Sequence, residues 1–392
     1  MKKILILVSL FLLIGKTTVF AENENTNQEQ TQEETQEETQ DEQMCDEIIE
    51  ALDLSSMDEY TSVYIPQKMT FTDLVEQFSD SDGREISESI FEYLYDIFFY
   101  ELDSIKPTLI QMFGFTVFFM IISKIVFWRK DYVYKVSCML VYASILSMLF
   151  ASFNLISEIV LKGLDSMLAF LSVLVPAYAT VLALSGNGFS ASGFYILTFA
   201  LVYIVEWLIR LVLVPGIHFF LLFEVLNHMF EEERLSKISA LIEVLVSKIL
   251  KGAVAIVAGI GIVQSIIAPA KDRISDSLII NSFSAIPGVG NITNSTAEIF
   301  LGCAMLIKNS VGVAALIILF FIVVTPLIKA FIFSLMYRFL AAILEPVADK
   351  QIVDGINSVA RAGDMYYRVL RDSALLFFIV IAIVCASTSF IN

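Results

Sequence analysis

The sequence predicts an all-α, polytopic helical membrane protein with about eight transmembrane helices. Three observations carry that prediction. Hydrophobic residues make up 57% of the chain and charged residues only 17%, an imbalance outside ordinary soluble usage. Apolar runs near the roughly 20 residues needed to cross about 30 Å of hydrocarbon recur along the chain. The acidity is confined to an N-terminal arm, which leaves the apolar remainder close to neutral.

The formal net charge is -17, yet residues 22–106 alone hold 25 Asp or Glu against Lys68, Arg84 and Lys106. An arm of that sign repels nucleic acid and anionic lipid alike, so no nucleic-acid partner is expected. Lys2 and Lys3, the apolar stretch 4–14 and the small-residue pattern of Val19-Phe20-Ala21 read as a signal peptide over 1–21, cut after Ala21. An uncleaved anchor is the alternative, and either one exports the acidic arm.

Residues 22–70 read as an acidic disordered exported tether. Their first part carries the tandem repeat TQEETQEETQ (31–40) and offers almost nothing apolar to bury. Cys45 reads as an incidental thiol, and Cys138, Cys303 and Cys385 lie singly in apolar segments. They imply neither a disulfide framework nor a metal site. Within 71–106, Ile86, Ile90, Tyr93, Leu94 and Ile97 recur at helical spacing among Glu85, Glu88, Glu92 and Asp96. That exported amphipathic segment has an acidic polar face. It therefore docks on a partner or on the chain's own membrane domain more readily than on lipid.

The membrane domain covers 107–392. Its spans read as 107–127, 136–153, 167–184, 194–213, 241–268, 311–336 and 373–390, with 215–230 as an eighth and shorter one. The positive-inside rule decides for eight. With the arm outside, the segment with Arg129, Lys130 and Lys135 falls inside, and so do Arg234, Lys237, Lys350, Arg361, Arg368 and Arg371. Lys271 and Arg273 would be outside, offset by Asp272 and Asp276.

Ionisable residues within apolar helices default to a pathway or an internal partner, because isolated charge in hydrocarbon is costly. Glu206 and Arg210 are spaced i to i+4 with the acid first, the favourable order on one helix face. Lys308-Asn309 interrupts the apolar run 299–320, and Glu345-Pro346 closes another helix. These five residues, Glu206, Arg210, Lys308, Asn309 and Glu345, are the candidate pathway or structural positions. Ala255, Gly259 and Gly261 allow close helix approach. The segment Pro287-Gly288-Val289-Gly290-Asn291 is either a re-entrant element or an exported loop.

A catalytic search finds no candidate. His218 and His228 lie roughly 80° off a common helical face, and no Cys pair or acid cluster joins them. Neither a phosphate-cradling loop nor a serine nucleophile elbow is present in the sequence. No cofactor or metal is expected, and the chain does not read as an enzyme.

From Met167 onward the stretches VPAYATVLALSG (175–186), SFSAIPGVG (282–290), LGCAMLIKNSVGVAAL (301–316) and YRFLAAILEPVADKQIVDGI (337–356) resemble the stage III sporulation protein AE family. The resemblance implies a membrane component of the complex that links mother cell and engulfed forespore. It also implies partnership with the other stage III A sporulation proteins and, through the complex, with stage II sporulation protein Q. The membrane would be the mother-cell membrane surrounding the forespore, with the arm in the intermembrane space. The competing reading is a stand-alone secondary transporter using the intramembrane charges.

Overall fold

A computed structural model of the chain describes residues 54–61, 64, 70–79, 85–126, 132–184, 189–229, 235–283, 290–346 and 348–387. The expected signal peptide, the repeat and residues 287–289 of the Gly-rich segment lie outside the described residues. All regular structure among the described residues is helical. Two short helices, α1 (Ser55–Thr61) and α2 (Phe71–Ser79), precede α3 (Glu85–Val126) and α4 (Tyr132–Leu184). Next come α5 (Phe189–Leu208), a π-turn (Ile209–Leu213) and α6 (Val214–Met229). Three long helices finish the chain: α7 (Ser236–Phe283), α8 (Gly290–Leu344) and α9 (Lys350–Ser387).

The helices run on where the sequence predicts turns, and this corrects the span assignment. Segments 136–153 and 167–184 belong to one helix, α4, 53 residues long, which spans ~80 Å. The polar stretch between them stays helical because its apolar residues keep the helical period. Phe153, Ile156, Val160, Leu164 and Met167 are buried on one side, while Glu158, Lys162 and Asp165 face outward. Lys162 pairs with Glu158 at 2.8 Å on that outer side. A periodic buried face outweighs local polarity in setting secondary structure.

The expected break at Pro215 is likewise absent. Proline clashes with the carbonyl four residues back and leaves it without a donor, and here that carbonyl is on Leu211. The chain answers with the π-turn, in which the Val214 amide donates to Ile209 five residues back. The wider turn makes room for the ring and lets the helix continue. Segments 194–213 and 215–230 are therefore one helical run. Pro107, Pro176 and Pro326 also sit inside helices. The run through Lys308-Asn309 is helical too, whereas Glu345-Pro346 ends a helix as expected.

Among the described residues three stretches are long and apolar enough to cross a bilayer: Ala143–Val181, Thr198–Asn227 and Leu306–Leu344. The first and third have 39 residues each, nearly twice the length a hydrocarbon layer needs. The reversals between spans that an eight-span topology requires at 154–166 and at 214 are helical in this structure.

Helices α8 and α9 form an antiparallel hairpin, with α4 packed against both. Tyr337, Tyr366, Phe153, Phe170 and Phe377 fill the space between them and are fully buried. Close approach occurs at Gly163, where an added Cβ would lie 3.1 Å from the Pro326 ring, and at Gly363, where it would lie 2.7 Å from the Phe333 ring. A Cβ added at Gly259 of α7 would meet nothing within 4 Å, so the small-residue contact expected on α7 is not made at that position.

The Gly363→Ala variant should thus lose about 1–3 kcal/mol through overpacking against a buried ring. Gly259→Ala meets open space and should hold or gain up to ~1 kcal/mol in helix propensity. Thermal unfolding of the two variants in detergent checks the contrast.

Candidate functional site

The strongest concentration of paired charge joins α6, α7, α8 and α9. Arg361 of α9 donates through Nη1 to Glu224 of α6 at 3.1 Å and through Nη2 to Glu243 of α7 at 2.7 Å. Its guanidinium also stacks 5.0 Å from the centre of the Phe220 ring. Glu224 is buried and accepts a further hydrogen bond from Ser239. Asp364 is bridged by Arg368 at 2.8 Å and by Arg338 of α8 at 3.2 Å. Three carboxylates thus face three guanidiniums, and the layer is neutral as a whole.

The basic residues expected to mark an inside loop, Arg361, Arg368 and Arg371, lie instead on a continuous helix and are paired with acids. One turn or so away from that layer, His218 Nδ1 lies 2.9 Å from the Val214 carbonyl and 3.0 Å from the Tyr366 hydroxyl. A carbonyl can only accept, so Nδ1 carries the proton. Tyr366 is then free to donate to Ser157 of α4 at 2.9 Å. Phe153 packs edge-on against the imidazole at 5.1 Å. This chain of contacts stitches α4, α6 and α9 together.

The residues singled out in the sequence are dispersed. Glu206 and Arg210 share a helical run but form no ion pair with each other. Arg210 pairs across to Asp165 of α4, while Glu206 is 0% exposed with neither oxygen hydrogen-bonded. The expected i to i+4 bridge loses to a partner on a neighbouring helix that lies within reach of the guanidinium. Lys308 is buried and Asn309 exposed, both engaged with other residues. Glu345 is exposed in the turn after α8, ~55 Å along the helix from Lys308, so the five do not make one site. Among the described residues no group of His, Cys, Asp and Glu is arranged to hold a metal ion.

The described part of the acidic arm, from residue 54 onward, is folded onto this scaffold. Part of the expected tether is structured, because Leu54 and Met57 are buried and α1 forms around them. Asp58 accepts hydrogen bonds from the Thr72 amide at 2.9 Å and hydroxyl at 2.8 Å, joining α1 to the start of α2. Tyr60 donates to the Ser166 carbonyl of α4 at 2.7 Å, and Tyr64 binds the Ser166 hydroxyl at 3.0 Å. Phe71, Leu74 and Val75 are buried on α2, which packs on α8. Lys329 of α8 pairs with Glu101 of α3 at 3.2 Å. Within 71–106, α2 and Glu101 thus meet the chain's own helices, while the side chains of Ile86, Ile90 and Tyr93 lie outside the described residues.

Arg361→Leu should be more damaging than Glu243→Leu, because it leaves two carboxylates without their shared cation, one of them buried. A broken buried pair costs about 3–5 kcal/mol, and membrane abundance should fall accordingly. Burial raises the Tyr60 phenol above its ordinary range, with Tyr64 adding to the shift. A raised phenol favours docking while neutral and opposes it once ionised. Arm docking should therefore hold below the ordinary phenol range and weaken as pH rises above it, read as faster proteolytic release of the arm in alkaline buffer. Tyr60→Phe, which cannot ionise, should flatten that dependence.

Residues 69–388, which include α2 through α9, match the family described as stage III sporulation protein AE. The chain is 22% identical over 324 residues to stage III sporulation protein AE of Bacillus subtilis (strain 168), covering 81% of this chain and 79% of that protein. No solved structure matches. With the family match spanning most of the long-helix scaffold, the chain belongs to the stage III sporulation protein AE family.

Proposed function

We propose that this protein is a membrane component of the channel or secretion-like complex between mother cell and forespore, with a structural or export-gate role in endospore formation. It sits in the mother-cell membrane surrounding the forespore and keeps its arm in the intermembrane space. Its partners are the other stage III A sporulation proteins and, through them, stage II sporulation protein Q. The observation that carries this reading is the scaffold itself. Three apolar stretches long enough to span a bilayer are each tied to α9 by a hydrogen bond or paired charges, in a chain of a sporulation family. A cross-tied bundle suits a part that holds neighbours in register.

A stand-alone secondary transporter is the second reading, favoured by Glu206, a buried acid in an apolar helix whose carboxylate oxygens accept no hydrogen bond. Purification in mild detergent from sporulating cells separates the two. The complex reading expects the other stage III A proteins to co-migrate with the full-length chain, while a protein that migrates alone favours the transporter. A reporter active only in the cytoplasm, fused at residue 60, should be silent, and activity there would reverse the orientation.

A further inference from the structure

Among the described residues the buried side-chain nitrogen and oxygen atoms left without a hydrogen bond are Glu206 Oε1 and Oε2, Arg210 Nε and Nη2, and Ser373 Oγ. They belong to three side chains on neighbouring elements: Glu206 and Arg210 lie four residues apart on the run through the π-turn, and Ser373 lies on α9, which packs against α5. The deficit is complementary: two acceptors lack donors on one side chain, and two donors lack acceptors on another. A buried carboxylate left in that state is costly, and so are buried donor nitrogens without an acceptor.

The bond Arg210 does make is to Asp165, whose side chain is 61% exposed, against 29% for Arg210. That bond lies on the outer face of the bundle, apart from the fully buried Glu206. Glu206 lies four residues before Arg210, the spacing at which acid and base meet on a helix. The segment between Glu206 and Pro215 contains the π-turn, and single π-turns inside α-helices recur where function needs local adjustment. Arg210 therefore has two carboxylates within reach, one outer and one buried.

We propose that Arg210 is a two-position latch, shared between Asp165 of α4 and Glu206 of its own helical run. In the outer position, seen here, it straps the π-turn to α4. In the inner position it neutralises Glu206, draws in the Ser373 hydroxyl of α9 and releases α4. A rotamer change of one side chain thus exchanges a strap between α4 and the π-turn for an inner contact next to α9.

The test uses the full-length chain in its native membrane with four variants: Asp165→Asn, Glu206→Gln, the double variant, and the double variant with Arg210→Gln. With two interchangeable partners, each single variant should stay within about twofold of the parent in membrane abundance, because Arg210 takes the remaining carboxylate. The double variant should fall by about tenfold, as the guanidinium then has neither partner. Adding Arg210→Gln should restore abundance to within about threefold of the parent, because the stranded charge is gone. A double variant that equals the product of the singles overturns the latch. So does Asp165→Asn alone falling as far as the double, or a triple variant that fails to recover.

Discussion

Arg361 fixes the relative heights of three helices. Its two nitrogens reach Glu224 on α6 and Glu243 on α7, and the Phe220 ring covers its guanidinium. Because α6 is continuous with α5 through the π-turn, the same contact sets the level at which Arg210 meets Asp165 on α4. Tyr366, between Arg361 and Ser373 on α9, then finds His218 and Ser157 at bonding distance. Apolar side chains give the bundle its bulk, but packing among them tolerates sliding. A planar fork gripping two carboxylates does not.

The architecture is legible in the sequence at the level of class and not of connectivity. Apolar runs and the helical period identify an all-α chain, and the stop at Glu345-Pro346 is visible as a stop. Pro215 misleads because a proline removes one hydrogen bond but does not forbid a helix that widens by one residue around it. The stretch 154–166 misleads for another reason. Glu158, Lys162 and Asp165 lower the mean hydropathy, while Ile156, Val160 and Leu164 keep one face apolar, and a window average cannot see a face.

The candidate residues show the same division. Glu206 is recognisable as an unusual acid in an apolar helix, but the nearest base in sequence is bonded elsewhere. Asp165 is remote in sequence and belongs to a stretch with the polarity of a connecting loop, so no local pattern links it to Arg210. The Arg361 group is hidden differently. Loop topology accounts for its basic members on sequence grounds, whereas Glu224 and Glu243 fall in segments with the hydropathy of spans, so the two halves of one network look unrelated.

An unbroken α4 has a mechanical consequence. About two-thirds of the way along, it carries both Ser166, where the arm is fastened by Tyr60 and Tyr64, and Asp165, where Arg210 is fastened. A helix transmits torque along its axis with little loss, since twisting it would break its own hydrogen bonds. Load applied to the arm is thus delivered to the fulcrum of an ~80 Å lever, and both of its ends must swing together.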